Sequence, residues 1–180
     1  AAVDVNGDGK PDLVVANEGN HDTISVLLNA TPGGSGMPSF GAPTMFAVSG
    51  NPYAITATDI NADGKVEVVV ANAASSTVSV LLNTTAPGAS LPTFRLKADF
   101  DVAQLPRSVA AADLNGDGKP DLITTCIRTH TIGVLLNTTA AGATTPSFSP
   151  RADFSVAREP WGVVAADISG DGKPDLVSAN

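Results

Sequence analysis

The chain has 180 residues, 43% of them hydrophobic, enough to build a packed core in one domain or one repeat array. Only 4% are aromatic, while Gly, Pro, Ala, Val and Thr abound, a balance that suits many short strands and turns and disfavours a helical bundle. A net charge of -8 without basic clusters repels phosphate backbones and anionic lipid, so nucleic acid is not an expected partner.

The chain opens on the end of one strand and runs directly into a loop, Asp4-Val5-Asn6-Gly7-Asp8-Gly9-Lys10-Pro11-Asp12. Side-chain oxygens recur at loop positions one, three, five and nine. Calcium takes six to eight hard oxygen ligands, and this spacing folds them around one centre. The expected ligands are Asp4, Asn6, Asp8 and Asp12, with the main-chain carbonyl of Lys10 at position seven; Gly9 supplies the freedom for the sharp bend. The loop is like the start of an EF-hand without its flanking helices or its Glu at position twelve.

Three further strands complete this first unit, residues 1–50. One residue more than in the next repeat falls between Asn17 and Thr23, as expected of a solvent-exposed turn. The third strand ends in Leu-Leu-Asn at Asn29, and the fourth follows Phe40-Gly41-Ala42-Pro43.

The same order then recurs. Loops begin at Asp4, Asp59, Asp113 and Asp167, and Leu-Leu-Asn ends at Asn29, Asn83 and Asn137, giving a repeat of about 54 residues. In the second unit, 51–104, strands are predicted at 53–59, 66–72, 77–83 and 93–102, from β-branched runs bounded by Gly, Asn, Pro and Thr. Its loop offers Asp59, Asn61, Asp63, Lys65 and Glu67. The third unit, 105–158, offers Asp113, Asn115, Asp117, Lys119 and Asp121. The fourth, 159–180, has two strands and the loop residues Asp167, Ser169, Asp171, Lys173 and Asp175.

Asp, Asn and Gly are also ordinary turn residues, but a plain turn has no need of a third carboxylate, and here the pattern occurs four times in register. The loops hold 12 of the 18 acidic residues, and four divalent ions would neutralise the chain. Up to four Ca2+ are therefore expected. The longer Glu67, Ala62 in place of Gly, and the shorter Ser169 predict weaker binding in the second and fourth loops.

Four antiparallel strands per repeat read as all-β, with each repeat one β-propeller blade. Two full blades and two partial ones do not close a ring, so further blades or other copies of the chain are expected partners. The repeat and loop resemble the FG-GAP and VCBS repeats of the integrin α-chain type of propeller, Phe40-Gly41-Ala42-Pro43 spelling the family's name; later repeats have Phe94-Arg95-Leu96-Lys97 and Phe148-Ser149-Pro150-Arg151. The resemblance implies a seven-bladed or similar propeller, with calcium between the first and second strands of each blade.

All eight aromatics fall into repeat columns: Phe40, Phe94 and Phe148; Phe46, Phe100 and Phe154; and Tyr53 with Trp161, where Arg107 holds the same place. The first two columns suit packing between blades. The third varies in type at the start of each innermost strand, as a recognition surface requires. In the resembled fold it lies opposite the metal loops, beside turns carrying His21, Asp22, Arg128 and His130. Asn29, Asn83 and Asn137 each open an N-glycosylation sequon, in places that also suit strand-ending turns.

Neither His has a repeated partner for catalysis, so no enzyme activity is expected. Cys126 has no disulfide partner, and no apolar run approaches the roughly 20 residues needed to span a bilayer. With no initiator Met or signal peptide, the chain reads as a mature or interior segment. Loops with dissociation constants near about 10⁻⁴ to 10⁻³ M would fill at extracellular calcium, which points to a secreted or cell-surface module with a structural or adhesion role. The alternatives are a carbohydrate-binding propeller, similar to certain fungal lectins and using Tyr53 and Trp161 as platforms, or an accessory domain of a longer secreted enzyme. Surface proteins or glycans are the corresponding partners.

Overall fold

The computed structural model describes residues 1–19 and 21–180. One residue of the extra-residue turn, Asn20, lies outside the described residues.

All regular structure among them is β. The strands are β1 (Ala2–Val3), β2 (Asp12–Asn17), β3 (Thr23–Leu27), β4 (Thr44–Ala47), β5 (Pro52–Thr58), β6 (Glu67–Asn72), β7 (Thr77–Leu81), β8 (Ala98–Asp101), β9 (Pro106–Ala112), β10 (Asp121–Cys126), β11 (Thr131–Leu135), β12 (Ala152–Ser155), β13 (Gly162–Ala166) and β14 (Asp175–Ala179). They form three four-stranded antiparallel meanders, β1 to β4, β5 to β8 and β9 to β12, and a two-stranded sheet of β13 and β14. Among the described residues no helix is long and apolar enough to cross a membrane.

Successive sheets pack face to face, with β2 against β5, β5 against β9 and β9 against β13. Three apolar layers fill the spaces between them. Val68 and Val70 of β6 face Val14, Ile24 and Val26 of the first sheet, while Val69 and Ala71 face Val109 and Leu122 of the third. Side chains of a strand alternate between its two faces, so an unbroken apolar run is what a strand buried on both sides demands. β6 and β10 are buried at every residue, whereas β2 and β14 leave Val15 and Val177 exposed, because the first and fourth sheets have a neighbour on one side alone.

The fourth strand of each meander is shorter than its sequence suggests. The predicted strand 93–102 resolves into β8 and a separate bridge between Asn83 and Phe94. Val80 faces Ala98 but Asn83 faces Phe94, one residue out of register, and the same slip recurs in the first and third sheets. That irregularity lets Phe94 meet Phe46 edge-on at 4.9 Å between ring centres, and Phe148 meet Phe100 at 4.8 Å. The two phenylalanine columns thus join the first sheet to the second and the second to the third, and Phe154, last of its column, is half exposed.

Candidate metal loops and the opposite face

Each Asp-rich loop links the first strand of a sheet to the second, and the four are built alike. The position-one carboxylate wraps the turn: Asp4 accepts from the N–H of Gly9 at 2.7 Å and of Asp8 at 3.2 Å. Asp59, Asp113 and Asp167 do the same. At Asp113 the N–H of Gly118, then those of Gly116 and Asp117, hold the carboxyl below its ordinary range. The position-three amide oxygen accepts from the N–H of position five, at 3.2 Å for Asn6, 3.3 Å for Asn61 and 2.9 Å for Asn115. The position-five carboxylate takes the N–H of the position-seven lysine: Lys10, Lys65, Lys119 or Lys173.

Position nine is different. Asp12, Glu67 and Asp121 are fully buried, each tied to two backbone N–H groups from different parts of its sheet. Asp12 accepts from Val5 at 2.8 Å and from Asn29 at 2.7 Å; Asp121 accepts from Leu114 at 2.9 Å and from Asn137 at 2.7 Å. Glu67 takes Ile60 at 2.7 Å but reaches Asn83 only at 3.4 Å, and burial raises its pKa to about 7. In the fourth loop Asp175 is more open and is held below its ordinary range by the N–H groups of Ser169 and Ile168.

Oxygen donors at positions one, three and five suit a hard dication in kind, and a carboxylate oxygen that accepts one N–H keeps a further lone pair. Among the described residues, however, no group of three or more His, Cys, Asp or Glu side chains is gathered as a metal ion would need. The carboxylates are turned onto amides, and the ninth sits inside the sheet.

The position-three asparagine also does something its place in a ligand pattern does not suggest. Its side-chain amide donates to the next sheet: Asn6 to the carbonyl of Ala89 at 3.0 Å, and Asn61 to that of Ala143 at 2.9 Å. In return, Gly88 donates its N–H to the carbonyl of Asn6 at 2.7 Å, and Gly142 to that of Asn61 at 2.6 Å. The sequon residue adds a third bond, Asn83 to the carbonyl of Val5 at 2.8 Å and Asn137 to that of Ile60 at 2.9 Å. Every sheet-to-sheet joint with a complete successor carries this three-bond clasp. Loops one and two are clasped, with Asn6 and Asn61 buried; Asn115 and Ser169 are exposed. Loops one and two also border a shared cleft of about 220 Å³ that includes Asp4, Gly7, Lys65 and Pro87.

The clasp employs two of the three sequon asparagines. Asn83 and Asn137 are buried, and the nitrogen a glycan would join is already bonded across the sheets. Asn29 is half-buried and donates to the carbonyl of Pro11.

At the other end of the sheets, Tyr53, Arg107 and Trp161 come together. The Arg107 guanidinium lies 4.0 Å from the Tyr53 ring centre and 5.4 Å from that of Trp161. His130 and Asp22 serve the scaffold nearby: His130 Nδ1 accepts from the N–H of Glu159 at 3.2 Å, and Asp22 from that of Asn51 at 2.8 Å. His21 and Arg128 are exposed in the same hairpin turns. Neither the clasp nor this stack was named by a motif; the recurrence of Asn and Gly after each Leu-Leu was the one available signal for the clasp.

A family model described as an FG-GAP-like repeat matches residues 4–70 and again 59–124. No curated protein matches the chain.

Proposed function

We propose, for a chain that belongs to the FG-GAP-like repeat family, a non-catalytic module of β-propeller blades that calcium stiffens outside the cell in a structural or adhesion role. The observation that carries this reading is the clasp on the Asp-rich loop: the residue offered as a ligand at position three is also the residue that holds the next sheet. An ion drawing Asp4, Asn6 and Asp8 together would replace the mutual repulsion of the carboxylates by attraction and stiffen the joint at the same time. Asp59, Asn61 and Asp63 would act in the same way in loop two, Asp113, Asn115 and Asp117 in loop three, and Asp167, Ser169 and Asp171 in loop four. The ninth carboxylate, already tied to backbone amides, would set the loop's shape and share a free lone pair with the ion.

Calcium that binds the folded state in preference to the unfolded one raises stability by mass action, by about 2.7 kcal/mol per site at a hundredfold excess over the dissociation constant. Thermal unfolding in millimolar calcium and in chelator tests this. A melting temperature higher by several degrees in calcium is expected, and identical curves would end the proposal.

A second reading, recognition of a carbohydrate on the face away from the loops, is favoured by the aromatic rings gathered around Arg107. The two readings are compatible, one describing the frame and the other what it presents.

A further inference from the structure

Three neighbouring strands begin in the same unusual way. Asn51, Leu105 and Glu159 have φ of 55°, 61° and 57°, in the left-handed region that side-chain-bearing residues avoid. Each is followed by proline, Pro52, Pro106 or Pro160. In the second and third sheets the next residue is then squeezed out of the ladder: Pro52 pairs with Asn72 and Ala54 with Ala71, leaving Tyr53 between them, and Arg107 is passed over between Pro106 and Ser108. An extra residue of this kind re-aims its side chain, and strained backbone persists where something else over-determines it.

What these bulges aim is a guanidinium between two rings, both centres within the roughly 6 Å over which a cation is drawn to a ring face. The five N–H donors of the guanidinium lie in its own plane, around its edge. Among the described residues no hydrogen bond or ion pair reaches that edge. The buried Nε of Arg107 lacks a hydrogen-bond acceptor, and the two ion pairs among the described residues use Lys97 and Arg151. A donor left without an acceptor is costly, so an acceptor brought to this edge is favoured. Arg128 and Arg158 lie at the same end of the sheets, with Glu18, Asp22 and Glu159, while 12 of the 18 acidic residues are in the loops at the other end. Trp161, 51% exposed, offers an open ring beside the guanidinium.

We propose that Tyr53, Arg107 and Trp161 form a binding site for an acidic glycan, the carboxylate of a uronic acid unit pairing with the edge of Arg107 and an adjoining sugar ring lying on Trp161. This rests on the carbohydrate reading above and narrows it to one ligand chemistry. A planar fork matches a carboxylate through two parallel hydrogen bonds, which an ammonium on the same stem does not reproduce.

Trp161 is the sole tryptophan, so its fluorescence reports on the site directly. The folded protein, in buffered calcium, is titrated with a linear trimer of galacturonic acid, with the neutral galactose trimer and with a hexaglutamate peptide. A saturable change in emission is expected with the uronate alone, weakened at least tenfold in Arg107→Gln and partly in Arg107→Lys. Matching circular dichroism of the variants establishes that they fold; if Arg107→Gln does not, Trp161→Phe followed by calorimetry takes its place, with the same weakening expected. Equal binding of the neutral trimer would overturn the acidic specificity and leave the carbohydrate reading standing. Binding of neither trimer would overturn both. Equal binding of hexaglutamate would overturn the sugar, and unchanged affinity in Arg107→Gln would show that bound calcium, not Arg107, holds the acid.

Discussion

The metal loops differ from one another residue by residue, and two of the differences can be weighed. Position four has a positive φ in every loop, filled by Gly7, Gly116 and Gly170 but in the second loop by Ala62 at 52°. The left-handed conformation brings Cβ against the following carbonyl at a cost of roughly 1–2 kcal/mol. Ala62→Gly is expected to stabilise the protein by about 0.5–1 kcal/mol in chemical denaturation, part of the relief being offset by the wider freedom of glycine in the unfolded chain. Glu67 is the other. Its pKa rises from 4.5 to about 7 on folding, so between those values the folded state holds a proton that the unfolded state has released. Stability without calcium is therefore greatest below about pH 4.5 as far as this residue is concerned, falls as pH climbs towards 7, and levels above it. The loss is about 3–4 kcal/mol. Glu67→Gln is expected to remove that slope, so that in chelator the variant is the more stable at pH 8 and the advantage shrinks at pH 5. A constant difference between the two proteins would show that Glu67 does not titrate in this range. The sequence made the substitution visible, but its burial depends on how β6 meets β7, which no local pattern states.

Among the elements, what could be read beforehand was whatever repeats within one sheet. The β-branched runs located β5, β6 and β7 to within about two residues, since alternation and turn residues act locally. The fourth strand was read as too long because its pairing slips by a residue beyond Ala98, a feature of register between strands. The clasp was hidden for a similar reason: Asn137 reaches Ile60 across 77 positions, and its sequon has a ready explanation of another kind. Asn137 donates to the carbonyls of Ile60 and Pro120 and accepts the N–H of Thr139. Removing it leaves buried polar groups unpaired. Asn137→Ala is expected to cost about 2–4 kcal/mol in urea unfolding, and Asn137→Asp, which keeps the acceptor and loses the donor, to recover part of that. A variant as stable as the parent would mean that the bonds of Asn137 add nothing to the joint between the second and third sheets. The stack at Tyr53, Arg107 and Trp161 was legible as a column that varies in type, while the bulges that turn those side chains towards one another were not.

Across the whole molecule, two influences on calcium affinity overlap. Composition sets the second and fourth loops below the first and third, whereas the clasp secures the first and second but not the third and fourth. Loop one is favoured on both counts and loop four on neither. Calorimetric titration of variants that each lack one position-one aspartate is expected to show the tightest site lost with Asp4→Ala and the weakest with Asp167→Ala; the reverse order would contradict both influences. The clasp has one more property. At both joints it ties the Asp-rich loop of the earlier sheet to the segment after the third strand of the later one, so the stack has a sense of direction although its sheets are near copies. Each loop is finished by its successor, and a loop can therefore report whether the sheet after it has docked. Folding of such a chain would proceed like a zip whose teeth lock behind the slider, with ion capture marking how far closure has travelled.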